Sequence, residues 1–242
     1  MTSRGLRTVR VATYNIHRSV GLDGRTRPDR IAAVLSDLQA DVIALQEVIG
    51  AGPNGGGHAE ELGAASGMGW VMASTRHLRG SLFGNVVLSR FPIRHHTQYD
   101  LSWRTCEARC CQRVDLDVDG ATLHFYNVHL GTAYLERRFQ AQRLAAIVSD
   151  RRVAGPKVVL GDFNEWMKGL TTSLLSERLS AIDLRTHLRR RRTYPGFFPI
   201  LHLDHIYYQG EVQVSRVELP RTRRTMIASD HLPLVAELQI RF

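Results

Sequence analysis

With 242 residues, 43% of them hydrophobic, and no Pro-, Gly- or Ser-rich linker between halves, the sequence predicts one domain over residues 1–242 with a sizeable core. The formal net charge of +9 favours anionic partners such as nucleic acid, phospholipid surfaces or phosphorylated substrates, without choosing among them. The sequence contains neither the apolar segment of a signal peptide nor a run of about 18 apolar residues, so no membrane span is predicted and a cytoplasmic location is expected.

Strand-like segments recur along the whole chain. Two of them meet at Asp119-Gly120, which is the sequence of a type I′ hairpin turn. So many strands exclude an all-helical fold. The runs rich in Val, Ile, Leu and Tyr are residues 9–14, 41–45, 70–74, 85–89, 112–118, 121–128, 157–160, 203–208, 212–219 and 232–240.

Helical periodicity occurs in three segments. Residues 28–38 place their apolar side chains on one face, with Pro28 near the start, and residues 58–65 form a shorter candidate. A longer helix is predicted over residues 134–150. Hairpins combined with crossover helices predict an α/β (α+β) protein in which helices cover the outside of the sheets. The predicted buried face of the longer helix consists of Leu135, Phe139, Leu144, Ile147 and Val148.

The three cysteines are Cys106, Cys110 and Cys111. An odd count with two adjacent residues is a poor disulfide framework, and no C-x-x-C pair exists for zinc. Reduced thiols on or near a strand are therefore expected.

An arginine run at residues 189–192 precedes an aromatic segment at residues 193–198. The run is either a solvated loop or a contact to an anionic ligand. The aromatic segment either lines a cleft, where it could stack on bases or insert among lipids, or packs as an ordinary loop.

Polar side chains collect where the predicted strands end. Loop residues held at strand ends are where rigid scaffolds usually place their chemistry. Asp162 and Asn164 are two residues apart, so on an extended segment they would face the same side. The residues at these positions are Asn15, Glu47, Asn127, His129, Asp162, Asn164, Asp204, Asp230 and His231.

The types of these residues indicate a chemistry. Carboxylate and amide oxygens with few thiols suit a hard cation, Mg²⁺ or Mn²⁺, which binds through one or two carboxylates. The histidines can transfer protons near neutral pH. Taken together, these groups suit metal-assisted hydrolysis of a phosphate ester. Taken singly, each residue could equally be a turn former, a helix cap or a hydrogen-bonded strand residue.

The order of these motifs along the chain resembles the endonuclease/exonuclease/phosphatase superfamily, which includes deoxyribonuclease I. The resemblance implies a deoxyribonuclease I-like, four-layered α/β/β/α sandwich of two mixed β-sheets flanked by helices, with a cleft at one edge. The motifs "GDFN" and "SDHLP" together are highly specific. The matching segments are residues 14–15, 46–47, 127–130, 161–164, 204–205 and 229–233.

The resemblance implies a site for Mg²⁺ (or Mn²⁺). Glu47 would be the principal metal ligand, with Asn15 and Asp230 beside the cation.

The resemblance also implies roles around the phosphate. His231 would be the general base that activates water, and Asp204 would orient it. Asp162 and Asn164 would position the water and the scissile phosphate, while His129 would polarise or protonate the phosphate.

Arg109 would be a further phosphate contact, and Arg113 competes with it for that role.

Three functions follow as hypotheses for a protein expected to be a monomer. The first is a metal-dependent nuclease that cleaves DNA, favoured by the basic composition. His129, where relatives that repair abasic sites have tyrosine, leans toward the deoxyribonuclease I and sphingomyelinase side. The second is a phosphodiesterase or phosphatase on phospholipid head groups or small phosphate esters. The third is a catalytically idle binding module, which would not need an oriented pair of Asp204 and His231.

Overall fold

Two six-stranded β-sheets dominate the part of the chain that the computed structural model describes, residues 5–166 and 169–242. The first sheet consists of β1 (Leu6–Asn15), β2 (Val42–Ile49), β3 (Gly69–Leu78), β4 (Ser81–Ser89), β11 (Glu211–Glu218) and β12 (Leu234–Arg241). Its strand order is β11-β12-β1-β2-β4-β3. The sheet is mixed, because β1 runs parallel to β2 and antiparallel to β12.

The second sheet is also mixed. It consists of β5 (Ile93–Asp100), β6 (Cys110–Val118), β7 (Ala121–His129), β8 (Lys157–Asp162), β9 (Ser180–Ala181) and β10 (Asp204–Gln209). The strand order is β5-β6-β7-β8-β10-β9, and β7 runs parallel to β8. The remaining pairs are antiparallel.

Helices lie on the outer faces of the two sheets. They are α1 (Pro28–Leu38), α2 (His58–Ser66), α3 (Tyr134–Val148), α4 (Leu170–Ser176), α5 (Leu184–His187) and α6 (Arg223–Ala228). In residues 5–166 and 169–242, no helix has the length and apolar character needed to cross a membrane.

Three apolar clusters separate these layers. The first lies between the sheets, the second between the first sheet and α1 and α2, and the third between the second sheet and α3 and α4. Successive side chains of β1 alternate between two of these clusters. Val11 belongs to the cluster between the sheets, and Ala12 belongs to the cluster between the first sheet and its helices. The predicted four-layered α/β/β/α sandwich is confirmed.

The type I′ hairpin at Asp119-Gly120 is confirmed, because both residues have positive φ, 52° and 87°, and they join β6 to β7. The strand β5 was not predicted. It lies at the edge of its sheet and carries the polar sequence "IRHHTQYD", which lacks an apolar alternation. All three cysteines are free, as expected.

The predicted buried face of α3 is wrong at Leu135, which is 59% exposed. The helix buries Leu144 and Val148 as predicted, but it also buries the polar side chains of Glu136 and Gln140. The side-chain oxygen of Gln140 accepts a hydrogen bond from the main-chain N–H of Gly131, and its amide donates to Glu136. The helix therefore holds the loop after β7 through polar contacts, which hydrophobic periodicity does not reveal.

The strand β2 contains a β-bulge. Between Leu45 and Val48 its register against β4 shifts, so that Gln46 and Glu47 oppose the single residue Asn85. The bulge places Glu47 in the left-handed region, with φ of 56°. A bulge bends its strand and redirects a side chain.

Asn127 on β7 of the second sheet stabilises this bulge from across the core. Its amide nitrogen donates to the main-chain oxygens of Leu45 and Val86, each at 3.0 Å, and its amide oxygen accepts from the side chain of Gln46 at 2.8 Å. Asn127 is fully buried. It therefore links the two sheets.

Replacing Asn127 with alanine is expected to lower the free energy of unfolding by about 2–4 kcal/mol. The change removes three buried hydrogen bonds, those to the carbonyls of Leu45 and Val86 and the one from the amide of Gln46. Urea denaturation followed by circular dichroism measures the effect. The matched control is Asn54→Ala in an exposed loop, which should change stability by less than about 0.5 kcal/mol. Equal stability of the two variants would contradict the role of Asn127.

Candidate active site

One cleft of about 400 Å³ gathers the polar residues that follow the strands. It lies where β1, β7 and β8 end and where the loop before β12 meets them. Asp204 does not line it; this residue is fully buried behind His231. The predicted residues that line the cleft are Asn15, Glu47, Arg109, His129, Asp162, Asn164, Asp230 and His231.

Glu47 reaches the cleft from the bulge of β2. The side-chain nitrogen of Asn15 donates to Glu47 Oε1 at 3.2 Å and to Asp162 Oδ2 at 3.0 Å. Asn15 Oδ1 accepts from the main-chain N–H of His17 at 3.0 Å. Asn15 therefore joins a carboxylate of the first sheet to a carboxylate of the second.

His231 forms a buried pair with Asp204. The His231 Nδ1 lies 2.9 Å from Asp204 Oδ2, and its Nε2 lies 3.6 Å from Asp162 Oδ2. Burial opposes protonation of His231, but the carboxylates of Asp204, Asp162 and Asp230 outweigh it and raise its pKa to about 10. These carboxylates therefore stabilise the imidazolium form.

Asp162 ends β8 and is almost completely buried. Burial raises its pKa to about 6, with His231 acting in the opposite direction and Asp204 adding to the rise. Asp162 Oδ1 accepts a hydrogen bond from the main-chain N–H of Asn164 at 2.9 Å.

Asn164 does not continue the strand. Its φ is 50°, and its side-chain nitrogen donates to the main-chain oxygen of Leu130 at 2.9 Å. The expectation that Asp162 and Asn164 share one side of an extended segment is therefore wrong, because the left-handed turn intervenes. Asn164 nevertheless lines the cleft.

His129 lies beside Arg109 and, like His231, close to Asp162. Arg109 Nη1 lies 3.3 Å from His129 Nδ1, and Arg109 Nη2 pairs with Glu107 at 2.9 Å. Burial lowers the pKa of His129 well below its usual value, and the charges of Arg109 and His231 lower it further. His129 is therefore a neutral imidazole.

Asp230 lies in a loop that is attached to β1. The hydroxyl of Ser229 donates to the main-chain oxygen of Asn15 at 2.8 Å. His231 lies on the same loop as Asp230, and the centroid of its ring lies 5.0 Å from that of the Tyr194 ring. The alternative phosphate contact, Arg113, instead pairs with Asp115 on β6 at 2.6 Å and does not line the cleft.

Several residues of the cleft were not predicted as site residues. Asn85 lies opposite the bulge, and its buried amide nitrogen has no hydrogen-bond partner in the described part of the chain. It lines a gap beside Glu47, Arg109 and His129. The motif "FGNVVLSRFPI" contains Asn85 and was the available signal. The residues of the cleft itself that were not predicted include Glu107, Thr132 and Trp166, while Tyr194 confirms the interpretation in which the aromatic segment 193–198 lines a cleft.

The donor set of the cleft suits a hard divalent cation. Arg18 Nε lies 4.0 Å from Glu47 and His17 Nδ1 lies 3.8 Å from Asp230, and no other basic side chain in the described ranges lies within 4.0 Å of either carboxylate. The same ranges hold no group of three His, Cys, Asp or Glu side chains placed to bind a metal. Mg²⁺ does not require one, because it binds through one or two carboxylates and keeps several waters.

The chain matches one known protein family over most of its length. The profile of the Endonuclease/Exonuclease/phosphatase family matches residues 12–231. The uncharacterized protein YbhP of Escherichia coli is 32% identical over 246 residues, which cover 96% of each chain. An endonuclease/exonuclease/phosphatase family protein from Bacteroides thetaiotaomicron has a TM-score of 0.82 at 18% identity, covering 98% of this chain and 100% of that one. A mannosyl-6-phosphatase of the same organism has a TM-score of 0.76 at 18% identity, covering 95% and 99%. These two structures share the fold.

Gly161 sets the approach of β8 to β7 next to Asp162. A Cβ atom at this position would lie 1.8 Å from the main-chain oxygen of Val128. Gly161→Ala is therefore expected to lower the free energy of unfolding by at least about 1–3 kcal/mol, measured by urea denaturation.

The matched control for this prediction is Gly69→Ala in β3. There the added Cβ would meet the main-chain oxygen of Ser89 at 3.6 Å, which is an ordinary contact. Wild-type stability of Gly161→Ala would show that the strands can separate without cost and would refute the prediction.

Proposed function

The chain belongs to the endonuclease/exonuclease/phosphatase family of phosphoric ester hydrolases, and we propose that it is a Mg²⁺- or Mn²⁺-dependent phosphodiesterase whose substrate is DNA. The observation that carries the proposal is the imidazole of His231, held by Asp204 and facing Asp162 across a cleft that also exposes Glu47.

The metal would be held by Glu47, with Asn15 and Asp230 beside it. Glu47 and Asp230 present carboxylate oxygens, the side-chain amide of Asn15 contacts Glu47, and no thiol lines the cleft within the described ranges. When bound, a divalent cation offsets the negative charge that develops on the phosphate oxygens.

His231 would accept the proton of the attacking water. The hydrogen bond between its Nδ1 and Asp204 directs Nε2 toward Asp162 and the cleft. The surrounding carboxylates raise the pKa of His231 to about 10, so the imidazolium is the form present near neutral pH. A divalent cation bound beside Asp230 would lower this pKa and allow Nε2 to act as the base. Asp204 is therefore a positioning residue, and His231 is the catalytic one.

His129 and Arg109 would bind the phosphate. Because Arg109 donates toward His129 Nδ1, the ring proton of the neutral imidazole lies on Nε2. That nitrogen lies 3.6 Å from Asp162 Oδ2 and is available as a hydrogen-bond donor. Of the two roles considered for His129, polarising the phosphate fits the neutral form better than protonating it.

The surroundings of the cleft support a nucleic-acid substrate. Trp166 lines the cleft and is 61% exposed, while Phe197 and Phe198 of the neighbouring loop are 61% and 69% exposed. Exposed aromatic rings of this kind can stack on unpaired bases. The exposed arginine run at residues 189–192 and the net charge of +9 would attract the phosphate backbone.

A small phosphate ester is the second candidate substrate. The cleft volume of about 400 Å³ suits a small molecule, and a mannosyl-6-phosphatase shares the fold. A phospholipid head group offers the same phosphate chemistry to the cleft.

The first test is nicking of supercoiled plasmid DNA by the purified protein with Mg²⁺ or Mn²⁺. EDTA is expected to abolish nicking, and His231→Ala is expected to slow it by about 10²- to 10⁴-fold, because the base is lost. The matched control is His77→Ala on an exposed part of β3, which should retain wild-type activity.

Retention of activity by His231→Ala would remove this residue from the proposed base role. If the folded protein does not nick DNA, the nuclease proposal fails, and sugar phosphates and phospholipids become the substrates to assay.

Salt dependence separates the two substrate classes. Plasmid nicking is expected to fall at least about tenfold between about 50 and 200 mM NaCl, because counterions compete for the phosphate contacts. Hydrolysis of a small sugar phosphate, which makes few such contacts, should change far less. A nicking rate independent of salt would indicate that the basic surface does not bind DNA.

A further inference from the structure

A second cavity, of about 510 Å³, lies on the outer side of the second sheet. It is bounded by β9, β10, α4 and α5 and by the end of the arginine run. Trp166 lines both this cavity and the catalytic cleft, so its indole ring separates them. The side chains that matter chemically are Glu165, Arg185, Arg191, Arg192, His202 and His205.

Two histidines that line this cavity each have a buried ring nitrogen without a partner among the described residues. The Nε2 atoms of His202 and His205 are buried and have no hydrogen-bond partner in the described part of the protein. Their rings lie 4.2 Å apart. Burial lowers the pKa of His202 to about 3 and that of His205 to about 4, so both are neutral. Buried polar atoms are normally paired, and two exceptions in one cavity indicate a polar ligand.

The charge of the cavity is positive. None of the three arginines that line it forms an ion pair with a carboxylate in residues 5–166 and 169–242. The carboxylate of Glu165 accepts hydrogen bonds from the main-chain N–H groups of Thr171 and Thr172, at 3.0 and 2.9 Å. Asp183 accepts the main-chain N–H of Arg185 at 2.9 Å. The acidic groups therefore stabilise helix ends, and the guanidinium groups remain for a ligand.

We propose that this cavity binds a phosphate group, with His202 and His205 contacting its oxygens and Arg185, Arg191 and Arg192 neutralising its charge. A neutral imidazole suits this ligand in either tautomer, because an N–H donates to a phosphate oxygen and a bare nitrogen accepts from the O–H of hydrogenphosphate. Guanidinium groups bind phosphate with two parallel hydrogen bonds. Three arginines disfavour a metal ion.

The proposal does not depend on hydrolysis in the catalytic cleft. The phosphate is either free inorganic phosphate or the terminal phosphate of a larger molecule. Leu184, Ile200 and Tyr207 give the cavity apolar walls beside its charged groups, and these could contact the rest of such a molecule.

The test is binding of inorganic phosphate in EDTA, measured by isothermal titration calorimetry and by NMR of the histidine rings. The signals of His202 and His205, assigned with His202→Gln and His205→Gln, are expected to shift on titration. The double variant Arg191→Gln/Arg192→Gln is expected to bind at least about tenfold more weakly. The matched control, Arg189→Gln/Arg190→Gln, alters the same run at residues that do not line the cavity and should bind like the wild type.

A cleft variant, Arg109→Gln, distinguishes the two sites, because it should retain the shifts of His202 and His205. The source of the phosphate follows from a comparison of a 5′-phosphorylated trinucleotide with its unphosphorylated form. Tighter binding of the phosphorylated form than of inorganic phosphate supports a nucleic-acid end, and equal binding supports free phosphate. Unshifted His202 and His205 signals, or equal affinity in both arginine double variants, would overturn the proposal.

Discussion

The structure depends on one buried amide, that of Asn127. Its nitrogen bonds to two carbonyls of the opposite sheet, at the point where β2 carries an extra residue. The two carbonyls would otherwise be buried without partners, so the bulge is stable only while the sheets are stacked. Glu47 reaches the cleft because of that bulge. The position of the foremost candidate metal ligand is therefore a consequence of core packing rather than of the loop that surrounds it.

The two histidines of the cleft show how neighbours divide one residue type into two chemical roles. His231 has carboxylates on several sides, and its pKa rises in spite of burial. His129 is equally buried but has Arg109 beside it, and its pKa falls. Asp162 lies within 3.6 Å of both rings. A protonated and a neutral imidazole can thus face the same carboxylate.

Much of the site could be predicted because its side chains follow apolar strands directly in the sequence. The sequence was a poorer guide to which side chains are buried where polar contacts replace apolar ones. In α3, for example, Leu135 is exposed and Gln140 is buried. Asn127 follows the same strand-end pattern as the cleft residues but points between the sheets. Only the three-dimensional stacking distinguishes these two environments. The second cavity could not be predicted either, because the residues that surround His202 and His205 come from segments distant in sequence.

The bulge in β2 also determines which length changes this part of the chain can accept. Leu45 and Val48 face the same helix layer although two residues lie between them, so deleting one of these two would restore regular alternation and remove the bulge that directs Glu47 into the cleft. The neighbouring glycine-rich loop at residues 50–57 is largely exposed and could gain or lose residues with little cost. Insertions and deletions among homologous chains should therefore accumulate in the loop and be absent from the bulge a few residues before it.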